Sequence, residues 1–148
     1  PDAAVLAQER RADPGRHAGL RGEERILVVE DEEMVRHMAC RALEGFGYTV
    51  LEAGDAPAAL ELLESLEEPV DLVLCDIVMP GMSGPALGAP IAEAAPELPI
   101  VYMSGYPTQD VTRRRLVPEG AAFIQKPFRP EDLAAKVRAA LDGSAAQR

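Results

Sequence analysis

Five side chains with chemistry to offer stand at similar places in this chain, each just after a short apolar run. Glu30 and Asp31 follow Ile26-Leu27-Val28-Val29. Asp76 follows residues 70–75, Ser104 follows 100–103, and Lys126 follows 121–125. Clustered carboxylates repel, so they either raise one another's pKa or bind a cation. Every ligand on offer is an oxygen. Cys75 precedes Asp76 in a pleated strand, so its thiol points to the opposite face. Oxygen-only, open coordination favours Mg²⁺, with Mn²⁺ as the alternative, over zinc. A carboxylate beside such a metal, with a hydroxyl and an ammonium close by, is arranged to attack a phosphoryl group. The metal and Lys126 would neutralise the equatorial oxygens and Ser104 would donate to one of them, leaving an aspartyl phosphate.

Those groups need a scaffold that brings strand ends together. The runs before them read as strands, and residues 48–51 read as a further strand, the second in order. Between strands the apolar residues change to helical spacing. Val35, Met38, Ala39, Ala42 and Leu43 form a stripe over residues 33–44. Asp55 is placed to cap a helix with Pro57 in its first turn and Ala59, Leu62, Leu63 and Leu66 inward. Ser83 or Gly84 opens a third helix, which Gly88 and Pro90 should interrupt. A fourth is expected over 111–116. A fifth, over 130–141, turns Leu133, Val137, Ala140 and Leu141 inward and lacks a good cap at Arg129.

Five strands alternating with five helices predict an α/β fold, a doubly wound parallel sheet covered on both faces. In such sheets the site lies beyond the carboxyl ends of the strands, where strand order reverses. Only the second strand brings no comparable group to that rim, as an edge strand away from the site would not.

Length and charge narrow the function. A chain of 148 residues suits one domain. The net charge of −10 argues against gripping nucleic acid through overall charge. No apolar run approaches the ~20 residues needed to span a bilayer. Residues 1–22 lack the apolar core of a secretory signal. Cys40 and Cys75 read as buried free thiols of a cytoplasmic protein. The chain begins at Pro1, without an initiator Met, and is expected to be a fragment or processed form. Residues 1–22, rich in Ala, Arg, Gly and Pro, are expected to be a linker or N-terminal extension, 23–142 the domain, and 143–148 a tail. Arg113-Arg114-Arg115 should be a solvated helix face and His37 a surface histidine.

Four stretches carry a family resemblance: ILVVEDEEMVR, DLVLCDIVMPGMSG, VYMSGY and FIQKPF. From about Arg25 to Leu141 the chain resembles a bacterial two-component receiver domain. The resemblance implies the flavodoxin-like strand order 2-1-3-4-5 with Asp76 as phosphoacceptor. Asp31 and Asp76 would hold Mg²⁺ directly with the main-chain carbonyl of Val78, and Glu30 would act mainly through water. Ser104 would be the switch hydroxyl, Lys126 the phosphate contact, and Phe123 the switch aromatic. The Lys126–Pro127 peptide would be cis, which proline permits at low cost. The kinase-side partner, a histidine kinase or histidine phosphotransfer domain, would dock on Met34, Val35, Met38, Pro127 and Phe128. MSGY, FIQKPF and the preceding linker resemble receivers at the C-terminal end of hybrid sensor histidine kinases. A free-standing regulator is the alternative. The seven residues after Leu141 hold no output domain, so output is expected upstream, in a partner, or in drawing phosphate from a kinase.

Some residues depart from the family pattern. Glu30 stands where Asp is commoner. Val78 is apolar where many relatives are polar, and Tyr106 is large, so water should reach the phosphoryl site less easily.

Two other classes fit less well. A Mg²⁺-dependent aspartate-nucleophile phosphatase would need a second Asp where Val78 stands. A flavin or nucleotide binder would need a Gly-rich loop where Glu30 and Asp31 stand.

Overall fold

The computed structural model describes residues 19–77, 97–117 and 120–147. Five strands run in parallel in the order β2-β1-β3-β4-β5: β1 (Arg25–Val29), β2 (Thr49–Ala53), β3 (Leu72–Asp76), β4 (Ile100–Ser104) and β5 (Ala122–Gln125). This is the doubly wound order that the family resemblance implied. The described helices are α1 (Glu33–Gly45), α2 (Ala56–Ser65), α3 (Thr108–Arg113) and α4 (Pro130–Gln147). The helix expected to open at Ser83 or Gly84, with Pro85, Gly88 and Pro90, lies outside the described residues, as do Val78 and residues 1–18.

The three central strands are apolar on both faces, as a doubly covered parallel sheet requires. Alternate side chains of one strand serve two cores. Ile26, Val28, Leu72, Leu74, Val101 and Met103 face α1 and α4, meeting Ala39, Leu43, Leu133, Val137 and Leu141. Leu27, Val29, Val73, Cys75 and Tyr102 face the other way, onto Ala56 and Ala59 of α2 and Val111 of α3.

Several element ends differ from the predicted ones for local reasons. β2 runs from Thr49 to Ala53 because all five residues pair with β1, Val29 opposite Ala53. β3 begins at Leu72 rather than at residue 70. Asp71 closes the approach instead, its carboxylate accepting from Arg25 N–H at 2.8 Å and its own N–H donating to Arg25 O at 2.7 Å. α3 starts at Thr108, directly after Pro107, three residues earlier than predicted. It ends at Arg113, with Arg115 in the left-handed region at φ 53°. The three arginines are exposed but do not share a helix face: Arg113 pairs with Asp110 at 2.9 Å, and Arg114 caps the helix. α4 continues past Leu141 to Gln147, although Asp142, Gly143 and Ser144 are weak helix formers.

Asp55 caps α2 as predicted, accepting from Ala58 N–H at 2.8 Å. Gly47 has φ 101°, and a Cβ there would lie 2.5 Å from Gly22 O. That close approach docks residues 20–22 onto the sheet's amino end. Gly22 N–H donates to Phe46 O at 3.0 Å, and Leu20 packs on the core.

Candidate functional site

Parallel strands all end on the same side, so the fold delivers its strand-end residues to one rim. Glu30 leaves β1, Asp76 closes β3, Ser104 closes β4, and Lys126 follows β5. Main-chain bonds tie these exits together. Glu30 N–H donates to Ala53 O at 3.1 Å, Ile77 N–H to Met103 O at 2.9 Å, and Lys126 N–H to Ser104 O at 2.7 Å. The Lys126–Pro127 peptide is cis, as the resemblance implied.

Glu30, Asp31 and Asp76 each offer a carboxylate oxygen within 4.8 Å of the others'. With Glu32, Ile77, Gly105, Tyr106 and Lys126 they line an open cleft of about 600 Å³. The three carboxylates are not equivalent. Glu30 is 1% exposed and both of its oxygens are engaged: Oε1 accepts from Glu32 N–H at 3.2 Å, and Oε2 from Lys126 Nζ at 2.8 Å. Asp76 is buried, with Oδ1 3.4 Å from Lys126 Nζ. Asp31 is exposed, and no hydrogen bond or ion pair reaches its side chain among the described residues.

Burial pushes the Glu30 carboxyl above its usual range, against the pull of the Lys126 hydrogen bond, and the Asp76 charge pushes the same way. Burial alone would lower the Lys126 ammonium. The Glu30 hydrogen bond and the charges of Asp76 and Glu30 outweigh it, so Lys126 ends above its ordinary value. The lysine is therefore held charged between two carboxylates.

Ser104 is 1% exposed, and its Oγ accepts from Tyr106 N–H at 2.9 Å. The hydroxyl is turned along its own loop rather than into the cleft. Phe123 sits opposite Tyr102 on β5, half-buried against the α2-side core. Met34 is 81% exposed and Met38 49%, while Val35 beside them is half-buried. Pro127 and Phe128 line a second cleft, about 510 Å³, with residues of β5 and α4; neither methionine lines it. The proposed docking residues thus fall into two groups. The Val78 carbonyl lies outside the described residues.

Two residues of the rim were not legible in the sequence. Arg36 donates from Nη1 to the Glu30 main-chain oxygen at 2.8 Å and from Nε to Glu52 at 3.0 Å. Glu52 lies on β2, so the second strand does reach the rim, through an arginine. Read alone, Arg36 looks like one more solvated helix residue.

The acidic cluster fits Mg²⁺: its donors are all carboxylate oxygens, and the exposed Asp31 has no side-chain partner among the described residues and so can take up a cation beside Asp76.

A five-stranded parallel sheet in this order, with acidic groups, a serine and a lysine at its carboxyl rim, defines a signalling domain of the two-component type. The chain belongs to the response regulator receiver domain family, whose model matches residues 26–138. Receiver domains bind Mg²⁺ at an acidic pocket and interact with histidine kinases and phosphotransfer proteins. The chain is 38% identical over 142 residues to the sensor kinase CckA of Brucella abortus, covering 95% of itself and 15% of that protein. It is 37% identical over 109 residues to the response regulator receiver protein CpdR of the same organism, covering 74% of itself and 89% of CpdR. Among solved structures it resembles the receiver domain of the hybrid histidine kinase CckA, with TM-score 0.66 and 37% identity over 79% of this chain and 98% of that one.

Proposed function

We propose that this chain is the phosphoacceptor of a two-component phosphorelay, taking a phosphoryl group from phosphohistidine onto Asp76. The observation that carries this reading is the placement of Asp76. It ends the middle strand, lines the acidic cleft, and lies 3.4 Å from Lys126 Nζ.

An Asp76 carboxylate oxygen forms the new O–P bond while the N–P bond of phosphohistidine breaks; with the other ring nitrogen protonated, the imidazole leaves neutral. Mg²⁺, when bound by Asp31 and Asp76, supplies charge neutralisation for the phosphoryl oxygens. The Val78 carbonyl and, through water, Glu30 complete that assignment on the resemblance. Lys126 contacts a phosphoryl oxygen from the other side. In-line transfer asks little covalent chemistry of the protein, so positioning and charge supply most of the acceleration.

The acyl phosphate brings about −1.5 to −2 charge if it behaves as other phosphorylated side chains do. Ser104 then leaves the Tyr106 N–H for a phosphoryl oxygen, and Phe123 fills the space beside it, changing the β4–β5 face. Residues 23–142 form the receiver unit in this reading. The relation to CckA supports a place within a hybrid sensor kinase in the cytoplasm, and the relation to CpdR supports a free-standing regulator as the second reading.

The test is labelling from a phosphohistidine donor with Mg²⁺. Wild type should take up phosphate in an acid-stable, base-labile form, and Asp76→Asn should keep its circular dichroism yet lose the label. Wild-type labelling of Asp76→Asn refutes the site. Turnover of a small phosphoester at enzyme-like rates would instead favour a phosphatase.

A further inference from the structure

The peptide unit joining Glu30 to Asp31 is held by a side chain from a helix. Arg36, near the start of α1, places Nη1 2.8 Å from the Glu30 carbonyl oxygen and Nε 3.0 Å from Glu52 Oε1. Its side chain is only 16% exposed. Glu30 is otherwise fixed on every side: its N–H by Ala53 O, its carboxylate by Glu32 N–H and Lys126. Asp31 has no such restraint on its side chain among the described residues. Among those residues, its carboxylate is placed only through the main chain. Holding the Glu30 carbonyl fixes the plane of the 30–31 peptide, which is rigid, and with it the position of the Asp31 N and Cα from which the side chain leaves. Without Arg36 that carbonyl, at the buried end of β1, would lose its charged donor and the peptide could rotate to find another.

We propose that Arg36 is a positioning residue for cation binding: it aims Asp31 at Asp76 through the Glu30 carbonyl, and Glu52 on β2 anchors its guanidinium. The proposal rests on the Mg²⁺-dependent receiver reading above. Arg36 touches neither metal nor phosphoryl group in this scheme. Its contribution is to lower the reorganisation needed when Asp31 and Asp76 close on one ion, as groups behind metal ligands do.

The experiment is a titration of the metal-free full chain with MgCl₂, followed by the amide chemical shifts around Asp31 and Asp76. Arg36→Met keeps much of the apolar stem and removes every donor; its Mg²⁺ affinity should fall about tenfold, the lower end of the range for groups behind metal ligands. Glu52→Ala removes the anchor of Nε and spares the donor to the carbonyl, so its affinity should fall in the same direction, by less than that of Arg36→Met. Arg138→Met loosens the opposite end of the sheet, where Arg138 meets Glu24 and Tyr48. It should leave Mg²⁺ affinity unchanged and so separates loss of aim from loss of stability. Wild-type affinity in Arg36→Met, or equal weakening in Arg138→Met, overturns the proposal. Should Arg36→Met fail to fold, Arg36→Gln, with an arm too short to span both partners, is held to the same criterion. If wild type itself binds no Mg²⁺, the receiver reading of the site falls, and this inference with it.

Discussion

Lys126 makes its shorter contact with Glu30, at 2.8 Å, and its longer one with Asp76, at 3.4 Å. The Glu30 arm brings its carboxylate onto the ammonium, and Asp76 keeps the longer contact. The lysine is thereby kept charged and close without being committed to Asp76.

Removing Lys126 should strand a buried carboxylate. Lys126→Met is expected to destabilise the fold by about 3 kcal/mol, the low end for breaking a buried pair, because Lys126 is 18% exposed. Urea unfolding measures it. The loss should depend on pH. Glu30 already has a raised pKa, and without its cation the pKa rises further. A raised carboxyl favours the folded state when protonated, below its ordinary value, and loses that contribution as pH rises through the folded value. The destabilisation should therefore be largest at neutral pH and shrink on acidification. A pH-independent loss would show that Glu30 is not what the lysine neutralises.

Tyr106 lines the acidic cleft at 39% exposure, beside the Ser104 hydroxyl that its own N–H holds. Its ring should hinder water on its way to the acyl phosphate. Tyr106→Glu is expected to shorten the phosphate's lifetime several-fold, and Val78→Asn to act in the same direction. Decay of labelled protein after donor removal is the measurement. An unchanged decay in both variants would refute the shielding argument.

Met34 and Met38 are exposed on α1, a polarizable apolar surface suited to a partner helix. Met38→Glu should slow transfer from a phosphohistidine protein strongly and from acetyl phosphate hardly at all. Equal slowing with both donors would indicate damage to the site or fold. Pro127 and Phe128 lie on a different cleft, so Phe128→Ser should discriminate less between the two donors.

At the amino end of the sheet, Arg138 of α4 meets Glu24, Tyr48 and Asp142, and reaches the Arg21 carbonyl. The Arg138 hydrogen bond draws the Glu24 carboxyl below its ordinary 4.5, against burial. A lowered carboxyl contributes stability above its unfolded value and loses it as pH falls through the folded one. Arg138→Met should cost about 1 kcal/mol at pH 7, as a partly exposed pair does. The gap from wild type should narrow as pH drops below about 4.5, where an unfolded glutamate titrates. Thermal unfolding across that range measures both, and a constant gap would mean that packing, not the ion pair, accounts for the loss.

Much of this protein is legible without coordinates because two kinds of signal are local. Apolar runs such as Ile26 to Val29 and the stripe through Ala39 and Leu43 mark strand and helix by period alone. Parallel topology then forces the residues after each run onto one rim, which is why Glu30, Asp31, Asp76, Ser104 and Lys126 could be named as a group. Asp55 as a cap was visible because capping needs only its own helix. What the sequence could not decide was which of these neighbours bond. Glu30 and Lys126 are 96 residues apart, and their pairing depends on strand order and on the length of a glutamate arm. Arg36 reaching the Glu30 carbonyl, Glu52 lending β2 a place at the rim, and Gly22 lodging against Gly47 are likewise contacts between elements. Only tertiary packing sets such distances, because no residue's type or spacing records which carbonyl or carboxylate will lie within 3 Å of it once the sheet has assembled.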